Sequence, residues 1–226
     1  MTVKIKVYSD YVCPFCFLAK APFEEAIEGK DVEVEWMPFE LRPSPSLQLD
    51  PWNDPSKLSG WNSFIAPTAE KWGVNMKLPH MSPHPYTHVA FEGYHFAKEQ
   101  GMGTEYNNRV FKAFFQEEQN IGEIEVLVKL AGEIGLDEEG FKEALVTRKY
   151  KEVQEKARQH ADEEAQIMAV PTFVIGEERL QGAVSKEMFE KVLAQELGKA
   201  RASSPNGMHA IVMKAVNVRH EQSKRE

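Results

Sequence analysis

Cys13 and Cys16 are the only two cysteines in a chain of 226 residues. With Pro14 and Phe15 between them they form C-x-x-C at the junction of a predicted strand and a predicted helix. That spacing lets the two sulfurs meet across the first helical turn, so a disulfide opens and closes with little backbone motion. A helix N-terminus carries partial positive charge and unpaired N–H groups. Both favour a thiolate, which marks Cys13 as the attacking sulfur at the exposed end of the turn. Cys16 lies one turn in, on the face that carries Ala19 and Phe23, and is expected to resolve a mixed disulfide. By residue type alone the pair is incidental, metal-binding or redox-active. A closed zinc site needs four ligands, and there is no second cysteine pair. His80, His84 and His88 recur every four residues, but Pro83 and Pro85 interrupt any helix that would align them. They are expected to face solvent or bond locally, and no metal site is expected.

A second signal lies far downstream. Val170-Pro171-Thr172-Phe173-Val174-Ile175 places a proline directly before an apolar strand. Proline cannot donate in a sheet interior, so Pro171 belongs at the strand's first residue or in a turn. Val170–Pro171 is a candidate cis bond; the alternative is an ordinary trans proline that opens a strand.

The elements around these residues follow from periodicity. Val3, Ile5 and Val7 alternate with Lys4 and Lys6, as on a half-buried strand. From Cys16 the apolar spacing becomes helical through Ala19, Phe23, Ala26 and Ile27, with Pro14 in the first turn, Pro22 inside and Gly29 as terminator. Val32, Val34 and Trp36 predict a second strand, which makes a parallel βαβ unit. Residues 38–55, rich in Pro, Ser and Asp, read as an irregular loop. Residues 56–168 look helical. Tyr106, Val110, Phe111, Phe114 and Phe115 share a face, as do Ile124, Leu127, Leu130, Ala131 and Ile134. A last face runs through Tyr150, Val153, Ala157, Ala161, Ala165 and Met168. Thr172–Ile175 and 179–182 predict a hairpin, and Ser185 caps a final helix. Around 210–216 there is a weak candidate strand in an otherwise polar tail.

Composition narrows the partners. Hydrophobic residues make up 42% of the chain, enough for a core, and the net charge is −8. An acidic chain argues against nucleic acid, which needs clustered Lys and Arg, and against an anionic membrane surface. No apolar run is long enough to span a bilayer. The first residues alternate where a secretory leader would be continuously apolar, so a cytoplasmic location is expected.

The stretches Tyr8-Ser9-Asp10-Tyr11-Val12-Cys13-Pro14-Phe15-Cys16 and Ala165-Gln166-Ile167-Met168-Ala169-Val170-Pro171-Thr172-Phe173 resemble the DsbA family of thioredoxin-like proteins, most closely its FrnE-like cytoplasmic branch. The resemblance covers roughly residues 3–198. It implies an α/β fold with a thioredoxin-like core (βαβ…ββα) at 1–55 and 169–199, an all-helical insertion at 56–168 and a tail at 200–226. It implies that Pro171 is cis and packs against Cys13, and that the Val170 backbone pairs with an extended substrate. Pro14 and Phe15 would tune the redox potential, and the insertion would wall a groove over Cys13. The activity implied is thiol–disulfide exchange with protein or peptide thiols, with no cofactor beyond the Cys13–Cys16 disulfide. Glutathione is a further candidate partner. The resemblance leaves open the direction of electron flow and the oligomeric state.

Two other functions fit the same sequence. One is a glutathione-dependent enzyme similar to kappa-class transferases and hydroxychromene-carboxylate isomerases, with Trp52, Trp61, Phe64, Trp72, Phe91 and Tyr94 lining a pocket. The plainer reading of those rings is helical core. The other is a redox-gated chaperone that binds extended peptides.

Overall fold

A computed structural model describes residues 2–202. The candidate strand around 210–216 lies outside the described residues.

Val3, Ile5 and Val7 are buried along β1 (Val3–Ser9), with Lys4 and Lys6 between them. α1 (Pro14–Ile27) follows, and Gly29 just beyond it takes a left-handed φ of +68°. β2 (Val32–Pro38) then pairs parallel to β1, with Val3 opposite Val32 and Val7 opposite Trp36. A parallel pair needs a crossover, which α1 supplies. At the far end of the chain β3 (Thr172–Ile175) and β4 (Glu178–Gln181) form an antiparallel hairpin. Gly176 turns it at φ +58°, where a side chain would run into the Glu196 carboxylate. β3 joins β1 antiparallel, so the four-stranded mixed sheet runs β2-β1-β3-β4. The sheet is therefore closed by strands from opposite ends of the chain. α9 (Lys186–Ala202) packs beside α1. Phe23 of α1 meets Trp36, Phe173 and Phe189, and this ring cluster cements helices to sheet.

Between β2 and β3 the chain is helical after an irregular loop. α2 (Pro55–Gly60) is capped by Asp54, which accepts from the Ser56 and Lys57 N–H groups. A π-helical turn (Trp61–Ile65) leads into α3 (Ala66–Lys71). Then come α4 (His88–Glu99), α5 (Gly103–Phe115), α6 (Ile124–Glu133), α7 (Glu138–Val146) and α8 (Lys151–Gln159), which ends in a second π-helical turn, His160–Glu164. The insertion is locked to the core by rings. Tyr11 stacks on Phe91 and meets Phe111 edge-on, and Phe17 packs on Phe115. The Tyr94 hydroxyl donates to the Trp36 carbonyl at 2.8 Å.

One helical face is shorter than its periodicity predicts. Tyr150 and Ala161 are buried, but Val153 is exposed and Met168 stands 88% exposed. Gln166 has a φ of +51°, a conformation that cannot continue a right-handed helix. The chain leaves the helix there and carries residues 168–170 toward Cys13.

Candidate active site

Cys13 occupies the N-cap of α1 with extended dihedrals (φ −85°, ψ 113°), and Pro14 follows at the first helical position, where its missing N–H costs nothing. The Cys13 carbonyl accepts from the Cys16 and Phe17 N–H groups at 3.1 and 3.3 Å. Both thiols are free. Cys13 is not at an exposed end: only 3% of it is accessible, because Val170 and the loops of the insertion close over it. Its thiol donates to the Val170 carbonyl at 3.6 Å, across the 157 residues that separate them in sequence. The Val170–Pro171 bond is cis, and Pro171 immediately precedes β3. Cys16 is buried beneath it. Burial pushes its thiol well above the usual range, and the Cys13 thiol beside it adds to the rise.

Cys13 opens instead onto a cleft of about 430 Å³ that is partly open to solvent. Pro14, Phe15, Val170 and Met168 form one side. Trp61, Phe64 and Ile65 of the π-helical turn and Phe115 of α5 form another, and Leu41, Leu49 and His84 complete it. Phe64 is 52% exposed at the rim, with its ring 5.9 Å from that of Phe15. Of the rings proposed for a pocket, Trp61 and Phe64 line this one. Phe91 and Tyr94 are core, and Trp52 stacks on His80 at 5.2 Å. A wider cleft of about 960 Å³, lined mainly by charged and polar groups of α8 and the 40–46 loop, contains neither cysteine.

Two residues here escaped the sequence reading. Asp10 is fully buried directly before the cysteine loop. Its carboxylate accepts from the Leu41 N–H at 2.7 Å and the Val12 N–H at 3.4 Å, and its own carbonyl accepts from the Cys13 N–H at 3.0 Å. It thus ties the cysteine loop to the loop that bears Leu41. Burial raises its pKa to about 7, against the lowering effect of those bonds and of the Thr87 hydroxyl. The available signal was an aspartate two residues before a turn that needs its N–H groups satisfied. The second residue is His84. It does not face solvent: it is 3% exposed, and its ring lies against the backbone carbonyl of Pro79. Burial lowers its pKa to about 4. His80, by contrast, is exposed and meets Glu118 at 2.9 Å, and His88 starts α4, so the three diverge. Among the described residues, no group of three or more His, Cys, Asp or Glu is placed to hold a metal ion.

A parallel βαβ unit, a hairpin returning to its first strand, a helical insertion and a dithiol at the α1 N-terminus facing a cis-proline define a thioredoxin-fold protein. The chain belongs to the DSBA-like thioredoxin domain family, whose pattern matches residues 4–194. It is 65% identical over 199 residues to the uncharacterised Bacillus subtilis protein YwbO, covering 88% of this chain and all of that one. Among solved structures it resembles a probable DsbA oxidoreductase, SCO1869 of Streptomyces coelicolor (26% identity, TM-score 0.69, covering 87% of this chain and 90% of that one). The fold alone recurs in a 2-hydroxychromene-2-carboxylate isomerase (18% identity, TM-score 0.72, 89% and 100% covered). It recurs also in the cytosolic disulfide reductase DsbM of Pseudomonas aeruginosa (20% identity, TM-score 0.62, 86% and 98% covered), which has also been solved with glutathione. Among the described residues no helix is long and apolar enough to cross a membrane.

Proposed function

We propose that this protein is a thiol–disulfide oxidoreductase in which Cys13 makes the first exchange and Cys16 resolves it. The observation that carries this reading is the free Cys13 thiol at the mouth of α1, 3.6 Å from the Val170 carbonyl and facing an apolar cavity. The Cys13 thiolate attacks one sulfur of a substrate disulfide. That S–S bond breaks, one half leaves as a thiolate and takes up a proton, and the other half stays on Cys13. Cys16 then gives up its proton and attacks Cys13 Sγ. The Cys13–Cys16 disulfide forms and the second substrate thiol is released. Two electrons pass from the dithiol to the substrate, and an external thiol such as glutathione restores the pair. Pro14, Phe15, Val170 and Pro171 border the reacting sulfur and would contact the substrate. The fold is shared with the cytosolic disulfide reductase DsbM, which is in keeping with reduction or isomerisation as the direction of exchange.

Insulin reduction by dithiothreitol tests this. Cys16→Ser should accumulate mixed disulfides at Cys13, and Cys13→Ser should abolish turnover. Wild-type rates equal to those of the double serine variant would end the proposal. A second reading, a glutathione-dependent isomerase or transferase, draws support from the isomerase fold likeness and from Trp61 and Phe64 in the cavity wall. Calorimetric binding of glutathione that is indifferent to loss of Cys16, with no insulin reduction, would favour it.

A further inference from the structure

We propose that Met168 is an oxidation site that controls the Cys13 cleft: a peroxide converts its thioether to the sulfoxide, and the polar wall that results weakens the docking of apolar substrate groups. The inference rests on the exchange function proposed above and names a regulation of that same site.

Position is the first support. Met168 is 88% exposed, the most exposed methionine among the described residues. Met188 comes next at 42%, but it lies on α9 and takes no part in the cleft. Met168 stands with Val170 on one side of the cleft and the half-exposed Phe64 on the other, so a group that reaches Cys13 passes between them. Behind these rims the walls are apolar, built from Phe15, Trp61, Ile65 and Phe115. Single exposed apolar side chains are ordinary on a protein surface. Two that border the cleft of one thiol form a patch for a bound group to cover.

A fixed backbone is the second. The Ala165 N–H donates to the His160 carbonyl at 2.8 Å, and the Ile167 N–H donates to the Ala161 carbonyl at 2.9 Å. On the other side of Met168 the Thr172 hydroxyl donates to the Ala169 carbonyl at 2.7 Å. Ile167 is buried as an anchor, and the left-handed turn at Gln166 brings the next side chains out of the helix. The Met168 side chain alone is therefore open to reaction. An added oxygen meets solvent rather than core, so the wall changes while the fold stays.

Chemistry is the third. Cys13 and Met168 carry the two sulfurs that line the cleft. When Cys13 is joined to Cys16 as a disulfide, Met168 is the reduced sulfur left there. Hydrogen peroxide transfers one oxygen to it: the O–O bond breaks, an S–O bond forms and the other oxygen leaves as water. The sulfur loses two electrons and the peroxide gains them. The product is a polar sulfoxide, which a methionine sulfoxide reductase returns to the thioether. Covering a hydrated sulfoxide with an apolar group costs free energy that covering a thioether does not.

The test treats the disulfide form of the full chain with hydrogen peroxide. Dithiothreitol then opens the disulfide and leaves sulfoxides in place, and kcat and KM are measured for insulin. Peptide mapping by mass spectrometry follows each methionine. Met168 should take up oxygen about fivefold faster than Met188, in keeping with its exposure. Oxidised wild type should show a KM raised about fivefold with kcat within about twofold, the pattern of weakened docking. Each variant is compared with its own untreated sample. Met168→Leu should show no change on oxidation, and Met188→Leu should respond as the wild type does. Untreated Met168→Gln, polar and of similar length, should already show the raised KM. Thermal unfolding confirms that each sample is folded. An unchanged KM in a sample whose Met168 is mapped as sulfoxide would overturn this inference and leave the exchange function standing. So would an equal rise in oxidised Met168→Leu, or mapping in which Met168 reacts no faster than Met188. Insulin reduction no faster than that of Cys13→Ser would overturn the exchange function, and this inference with it.

Discussion

The Cys13 thiol lies 3.6 Å from the Val170 carbonyl, although 157 positions separate them. That contact exists because β3 pairs back onto β1: Tyr8 lies opposite Thr172, so the residues just past the C-terminal end of β1 and just before β3 meet at one end of the two central strands. The helix that starts at Cys13 and the loop that ends at Pro171 are therefore held by the same strand pair.

The two thiols should differ in reactivity. Burial raises the Cys16 pKa, whereas Cys13 borders the cavity. Iodoacetamide at mildly alkaline pH should modify one thiol per native chain, mapped by mass spectrometry to Cys13, with Cys16 reacting only after unfolding. Equal labelling of both thiols in the native state would contradict the geometry.

Two buried groups should give stability opposite slopes with pH. The folded pKa of Asp10, about 7, lies above its ordinary 3.8. The fold favours its protonated form, so the stability it contributes is complete below pH 3.8 and is lost as pH rises to 7, by roughly 4 kcal/mol. The folded pKa of His84, about 4, lies below its ordinary 6.5, so its contribution is complete above pH 6.5 and is lost as pH falls to 4. Between those limits the two nearly cancel. Urea unfolding across this range should show Asp10→Asn gaining on the wild type as pH rises and His84→Phe gaining as pH falls. Parallel curves for all three proteins would contradict the burial of both groups.

The Arg148–Glu92 pair is a structural anchor between α4 and the turn after α7. Glu92 is 1% exposed, and Arg148 Nε reaches both of its carboxylate oxygens at 2.8 and 3.0 Å. Arg148→Ala would leave a buried carboxylate with no counter-charge. A cost of about 2–4 kcal/mol is expected, the arginine being partly exposed. Denaturant midpoints measure it, and Glu92→Gln in the same background should recover part of the loss.

Gly93 lets α4 approach its neighbours closely. A methyl group there would overlap the Tyr106 hydroxyl of α5 and the Phe141 ring of α7. Gly93→Ala is expected to lower stability by about 1–3 kcal/mol, read from thermal unfolding. A stabilised variant would mean that these helices pack differently.

Local pattern carried much of this. Alternation in residues 3–7, helical spacing from Cys16 and the turn residues around Gly29 and Gly176 each express a conformational preference that neighbouring residues suffice to encode. The C-x-x-C spacing is likewise a local feature, since two sulfurs one helical turn apart can meet wherever that turn is placed. The helix ending at Glu164 was harder: apolar spacing continued through Met168, but the left-handed turn at Gln166 exists to deliver Val170 to Cys13.

What the tertiary structure decided is burial and encounter. Nothing adjacent in sequence distinguishes Asp10 from a solvated turn aspartate, or His84 from its exposed neighbour His80. Both are buried because segments dozens of residues away close over them. The cavity over Cys13 is likewise assembled from Leu49, Trp61, Phe115 and Met168, which share no periodicity. Such contacts depend on chain paths settled by the packing of the whole core, and desolvation, the force that perturbs these groups, comes into being only once those paths are in place.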